Sequence, residues 1–120
     1  ASKTELVLNA RDFLHAIERA SLLARGERNN VVKLATIEEK MIKVSSNTPE
    51  IGTVIEQIQC QSTEGEELKI SFSAKYMMDA LRAIDGQDVL IQFTGAMRPF
   101  ILKSVDDDTI LQLILPVRTY

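Results

Sequence analysis

Few side chains in this sequence have the type and spacing that chemistry requires. Nucleophilic or general-base catalysis needs a histidine, cysteine or carboxylate held within reach of a partner. The 120-residue chain has one histidine, His15, and one cysteine, Cys60. His15 lies on the polar side of a helical pattern, the position of a solvated side chain. Cys60 closes an alternating segment with no histidine near it in sequence, which suits a buried structural thiol. No Cys-x-x-Cys pair, phosphate-binding glycine loop or dinucleotide fingerprint occurs. The acidic run Asp106-Asp107-Asp108 could in principle serve Mg²⁺, since hard cations want carboxylates. Strand-like segments on both sides, and no further acids at loop spacing, fit a hairpin turn better. No catalytic residue, metal ligand or cofactor is assigned, and the chain reads as one that acts by binding. A Mg²⁺-dependent enzyme built on the acidic run remains as the enzymatic alternative.

The totals set the frame in which these residues sit. With 45% hydrophobic and 26% charged residues, residues 1–120 form one globular domain able to bury a core without staples. A single cysteine leaves no internal disulfide, which suits a reducing compartment. The opening Ala1-Ser2-Lys3-Thr4-Glu5 lacks the basic start and apolar core of a secretory signal. The apolar run near residues 111–117 is interrupted by Gln112 and Pro116 and is too short for a bilayer. A cytoplasmic location is expected, with no membrane contact. The net charge of −3 argues against a protein that grips nucleic acid over its whole surface, but leaves room for a basic stripe.

The pattern of elements supplies the scaffold. Residues 5–8 read as a strand, and Asn9 can cap a helix from Ala10 to about Ala24, with apolar residues at helical spacing. Gly26 with Asn29-Asn30 ends it. Strands follow at 31–36, 41–45 and 53–60, joined by Glu38-Glu39-Lys40 and by Ser46-Asn47-Thr48-Pro49. After Glu64-Gly65-Glu66 the order begins again: a strand at 68–72, Ser73 as cap, a helix at 74–84, Gly86, then strands at 89–94, 100–104 and 109–115. A shift that places Ala10 on Ala74 also lays Leu8-Asn9-Ala10-Arg11 over Phe72-Ser73-Ala74-Lys75, and Phe13-Leu14 over Met77-Met78. This implies an α+β fold of two β-α-β-β-β repeats, about 4–62 and 67–120, with both helices on one face of antiparallel sheet. Met77-Met78 is core filling at this spacing and not a soft-metal site.

Around the first helix the face opposite the core collects Arg11, His15, Glu18, Arg19 and Arg25; on the second it collects Lys75, Asp79 and Arg82. Each helical segment sums to +1, so the helical layer is more positive than the body that carries it. This is either an ordinary solvated face or a weak, sequence-blind phosphate contact. Leu22 and Leu23 point away from the core stripe, either covering the following loop or anchoring a partner subunit. The ending Pro116-Val117-Arg118-Thr119-Tyr120 is apolar and aromatic, folding back on the body or rimming a groove.

Several segments, in order, resemble a known family. They are Ala20-Ser21-Leu22-Leu23-Ala24-Arg25, Asn29-Asn30-Val31-Val32-Lys33-Leu34 and Ser45-Ser46-Asn47-Thr48-Pro49-Glu50, then Phe72-Ser73-Ala74-Lys75-Tyr76-Met77-Met78-Asp79-Ala80-Leu81, Phe93-Thr94-Gly95-Ala96-Met97-Arg98-Pro99-Phe100 and Leu113-Ile114-Leu115-Pro116-Val117-Arg118-Thr119-Tyr120. Together they resemble the C-terminal, third domain of the bacterial DNA polymerase III β subunit, the sliding clamp, in its Gram-positive form. The resemblance implies a DNA-clamp fold and a replication processivity factor without catalytic activity or cofactor. In that family two chains close head to tail around duplex DNA and tether DNA polymerase III. By the same likeness Arg11, Arg19, Lys75 and Arg82 face the DNA, and Leu22 and Leu23, with Glu50 and Glu56, fall at the subunit interface. Residues 51–55 depart from the acidic version of that interface.

The family also implies a groove that receives motifs of the Gln-Leu-x-Leu-Phe kind from the polymerase, the clamp loader and repair proteins. Its wall on this domain would be Ser73, Tyr76, Met97 and Leu113, continuing through Ile114, Leu115, Pro116, Val117 and Arg118. Ser73 replaces an asparagine found in some members, and Thr119-Tyr120 extends past their end. The alternative reading is a free-standing interaction domain that dimerises through Leu22-Leu23 and its tail.

Overall fold

The computed structural model describes residues 3–22, 30–38, 40–48, 52–84, 87–106 and 111–117. Strand β1 (Thr4–Asn9) alternates buried and half-buried residues and runs directly into helix α1 (Ala10–Ser21). The switch occurs at Asn9, whose backbone is still extended and whose Oδ1 accepts the amide of Asp12 at 2.9 Å. That bond satisfies one of the amides a helix start leaves unpaired. Strands β2 (Val31–Thr36), β3 (Met41–Thr48), β4 (Gly52–Gln59) and a short β5 (Ser62–Gly65) follow. The second series is β6 (Lys69–Ser73), α2 (Ala74–Ala83), β7 (Asp88–Phe93), β8 (Phe100–Ser104) and β9 (Leu111–Ile114). Ser73 caps α2 as Asn9 caps α1, its hydroxyl accepting the Tyr76 amide at 3.4 Å.

The expected antiparallel strands and paired helices are present, with the strands divided between two sheets. One has the order β5-β1-β7-β8-β9 and the other β4-β3-β2-β6. Each sheet combines strands from both halves of the chain. β1 pairs with β7, Thr4 opposite Phe93 and Asn9 opposite Asp88, while β6 pairs with β2, Ser73 opposite Val31. Inward-facing residues of both sheets and both helices build one apolar cluster that includes Leu6, Phe13, Leu34, Phe72, Met77 and Phe93. Phe100 ties the sheets together: its ring meets Phe93 at 4.8 Å between centroids and Phe72, from the other sheet, edge-on at 6.0 Å.

Burial on α2 repeats that on α1 at the aligned positions. Ala10, Phe13, Ala16 and Ile17 are buried, and so are Ala74, Met77, Ala80 and Leu81. Leu14 and Met78 are both partly buried against the core. Helix α1 is pinned at its far end by the buried Ser46, whose hydroxyl donates to the Ala20 carbonyl. Strand β3 therefore continues through Ser46-Asn47-Thr48, where a turn is expected from composition. The Asn and Ser there are accommodated because pairing with β4 runs on to Thr48 opposite Gly52.

Strand β5 is the element that composition hides. Ser62-Thr63-Glu64-Gly65 has the residues of a loop, yet it pairs along β1 from Val7 to Thr4. Gly65 is what permits it. Its φ is +100°, and a Cβ there would stand 2.0 Å from the Lys3 carbonyl oxygen. Gly52 also has a positive φ, +109°, but a Cβ there meets nothing within 4 Å. Gly52→Ala is therefore expected to cost about 1 kcal/mol, the ordinary left-handed penalty. Gly65→Ala should cost about 3 kcal/mol or more, because backbone must also move. Urea denaturation with an unchanged slope and a clearly lower midpoint for Gly65→Ala checks this; equal midpoints would contradict it.

Candidate functional site

The sequence-predicted groove residues gather where the chain's last described segment meets β6 and α2. Alternation along β9 exposes Leu111 and Leu113 and turns Ile114 inward, 5% exposed, into the core. Ile114 therefore contributes packing from inside, and its side chain is not part of an outer wall. Leu115 is again exposed. Beyond it the chain leaves its own sheet for the other one. Pro116 forms an antiparallel bridge with Phe72, and the Val117 amide donates to the Ser71 carbonyl at 2.8 Å. Proline lacks an amide, so it ends the β9 ladder, but a single bridge drawing on its neighbour's amide is open to it.

This crossing sets Pro116 and Val117 beside Ser73 and the first turn of α2, where Tyr76 is 65% exposed. Met97, 54% exposed, stands between β7 and β8 and borders a cleft of about 370 Å³ together with Val117. The exposed apolar side chains Tyr76, Met97, Leu113 and Leu115 thus belong to one end of the domain. Leu111 shares Leu113's strand and exposure and is not among the expected groove residues; period-two reading back from Leu113 finds it. Arg118 lies outside the described residues.

Among the expected DNA-facing residues, Arg11, Arg19, Lys75 and Arg82 are all exposed. They are not equivalent. Arg19 Nε donates to Glu56 Oε1 at 2.9 Å, joining α1 to β4. An expected DNA contact and an expected interface residue are therefore each other's partner within the domain. Arg82 stands 3.6 Å from Asp79, both more than half exposed, a pair worth little in water. Arg11 and Lys75 take part in no salt bridge among the described residues. Both occupy the second position of their helices, where the macrodipole disfavours cations by about 0.3–1 kcal/mol. A local rule broken twice at matching positions points to a use for positive charge there.

Leu22, 52% exposed, follows the last turn of α1. Leu23 and Glu50 lie outside the described residues. Ile55, 54% exposed on the edge strand β4, adds an apolar side chain in the segment that departs from the acidic pattern.

The residues first considered for chemistry are placed apart. His15 is exposed on α1. Cys60 is 3% exposed, and burial pushes its thiol up to about 11. Asp106 follows β8, its amide donating to Ser104 Oγ at 3.2 Å, while Asp107 and Asp108 lie outside the described residues. Among the described residues no group of three His, Cys, Asp or Glu side chains is placed to hold a metal ion. No described helix is long and apolar enough to cross a membrane.

With this geometry in place, comparison with known proteins is specific. Residues 1–118 match the family model described as DNA polymerase III beta subunit, C-terminal domain. The chain belongs to the β sliding clamp family. It is 59% identical over 119 residues to the beta sliding clamp of Bacillus subtilis, covering 99% of this chain and 32% of that protein. The Staphylococcus aureus clamp is 54% identical over 116 residues, 97% of this chain and 30% of that one. The crystal structure of the B. subtilis sliding clamp superposes with a TM-score of 0.94 at 58% identity, over all of this chain and 32% of that chain. The DNA polymerase III beta subunit of Thermotoga maritima keeps a TM-score of 0.91 at 25% identity, over all of this chain and 32% of its own. The chain thus spans about a third of the clamps it matches.

The buried thiol gives this clamp domain a measurable signature. A thiol raised from 9.0 to about 11 has roughly 100-fold less thiolate at neutral pH. Its ionisation is suppressed in the fold, so the fold's advantage from a protonated Cys60 is complete below the unfolded value and fades as pH rises through about 11. Labelling of Cys60 by a disulfide reagent at pH 7.5 is expected to be at least ~100-fold slower than in urea. Equal rates would show that the site is open.

Proposed function

We propose that this chain is the third domain of a ring-shaped DNA clamp, acting as a topological tether and a docking platform, with no chemistry of its own. In this reading residues 1–120 are one domain of two pseudo-repeats, and two full-length chains close around duplex DNA in the cytoplasm. The α1 and α2 faces look into the hole, where Arg11 and Lys75 supply sequence-blind contact with phosphate. Such contact holds weakly and is screened by salt, which suits sliding. Arg19 and Arg82 contribute less, each having a carboxylate near it. Leu22 and Leu23, with Ile55 close to the departing edge, supply the apolar part of the subunit contact; Glu50 belongs to its rim, and Glu56 steadies it through Arg19.

The observation that carries the docking role is the exposed apolar wall formed where Pro116 and Val117 cross to β6. Monomeric surfaces rarely gather Tyr76, Met97, Leu113 and Leu115 at one end without a partner to cover them. Leucine and phenylalanine of a Gln-Leu-x-Leu-Phe motif are suited to such pockets, and polymerase III, the clamp loader and repair proteins are the proposed carriers. Ser73 and Arg118 offer the polar groups that orient a peptide.

In a full-length clamp carrying this domain, Met97→Ala and Leu113→Ala are each expected to weaken binding of a fluorescent motif peptide about tenfold, the usual cost of truncating an apolar anchor. Anisotropy titrations that superpose on the parent would remove the groove. Leu23→Asp in the same clamp should convert the dimer to monomer at micromolar concentration, since a carboxylate cannot be buried unpaired in an apolar contact. Sedimentation velocity reads the outcome. An unchanged dimer, together with self-association of the isolated 120-residue chain, would favour the free-standing module.

A further inference from the structure

The outer face of the β4-β3-β2-β6 sheet carries a charge pattern that neither the helices nor the groove accounts for. Alternation places Val32, Leu34, Val44, Ile70 and Phe72 in the core. The residues between them point to the other side, away from α1 and α2. Among these, Lys43 and Lys69 both lie opposite Ala35, on either side of it, and Lys33 lies opposite both Ser45 and Ser71. With strands about 4.8 Å apart, Lys43 and Lys69 start roughly 10 Å from each other, and Lys33 enters about 7 Å along the middle strand. Three lysine side chains thus start around Ala35. The small residues beneath them leave the cleft of about 370 Å³ whose border includes Met97 and Val117.

Among the described residues, no carboxylate lies opposite them in the ladders of this sheet. On β4 the outward neighbours are Gln57, opposite Lys43, and Ile55, opposite Ser45; Glu56 points inward to Arg19. None of the three lysines enters a salt bridge among the described residues. A chain of net charge −3 therefore concentrates unopposed positive charge on one sheet face. The mutual repulsion of such a cluster is relieved by an anion.

We propose that Lys33, Lys43 and Lys69 form an electrostatic extension of the docking groove that receives acidic residues flanking a partner's apolar motif. The inference rests on the docking role proposed above. Continuity argues for it: Met97 and Val117 border the groove on one side and this cleft on the other, so an extended peptide leaving the pockets passes over the lysines. Position argues against duplex DNA as the occupant, because the whole thickness of the sheet and core separates this face from Arg11 and Lys75. Residue type sets the selectivity. Lysine ammoniums are point charges without the planar fork of arginine, so they reward any short run of Asp or Glu and not one carboxylate geometry.

The test uses a full-length clamp and fluorescent peptides carrying one motif, extended at either end by Asp-Asp-Glu or by Ser-Gly-Ser. At about 50 mM NaCl one of the two acidic extensions is expected to tighten binding roughly fivefold over its neutral counterpart, and the gain should shrink at about 300 mM. The triple variant Lys33→Gln, Lys43→Gln, Lys69→Gln should abolish that gain while the neutral peptides bind as before; these side chains are on the surface and their loss leaves the core intact. Lys43→Glu alone should turn the gain into a penalty. If neutral and acidic peptides bind the parent clamp equally, or the triple variant keeps the gain, the extension is wrong and the groove stands. If the neutral motif peptides do not bind at all, the groove itself fails and this inference falls with it. Lysine-dependent displacement of the acidic peptide by a DNA duplex would reassign the face to nucleic acid and sink the proposal.

Discussion

The exchange of first strands between the two halves is the constraint on which the rest depends. β1 completes the sheet of β7, β8 and β9, and β6 completes the sheet of β2, β3 and β4. Neither half can cover its own apolar strands. A half standing alone would have an unpaired edge and an open face, and removal of that surface from water is the main favourable term in folding. The contacting rings of Phe72, Phe100 and Phe93 are where the two sheets share one core.

The same exchange places the functional surfaces. Each helix is the link between a strand in one sheet and a strand in the other: α1 between β1 and β2, α2 between β6 and β7. Both are drawn to the seam, where they pack on each other, with Arg11 and Lys75 in matching positions. Of the chain's other crossings between the sheets, one runs from β4 into β5 and one from β9 into the Pro116 bridge. The first crossing closes against β1. The second closes against β6 and leaves the exposed leucines of the tail beside Tyr76.

Much of this was legible in the sequence, for identifiable reasons. Helical spacing and polar caps marked α1 and α2, and the alignment of Phe13-Leu14 with Met77-Met78 anticipated their equal burial. The strand exchange was not legible, because alternation reports which residues face inward and is silent on which strand lies next to which. β5 escaped because Ser62-Thr63-Glu64-Gly65 has the composition of a loop, and only the close approach to Lys3 reveals why glycine is needed. The groove was read chiefly through family resemblance; alternation alone would have shown Ile114 turning inward and Leu111 outward. The pairing of Arg19 with Glu56 spans 37 positions, and no local pattern encodes it. The lysine face was hidden for a similar reason, since its three members come from three strands.

The register that sets Thr4 opposite Phe93 also fixes an order of events during synthesis. β1 leaves the ribosome long before the strand it must lie against. At about 5–20 residues per second, several seconds pass before β7 emerges. Through that interval Leu6 and Leu8, fully buried in the finished domain, lack the part of their cover that β7 supplies. Pairings so distant in sequence are closed late and slowly. The cover over Leu6 and Leu8 is therefore complete only when the second half has been made.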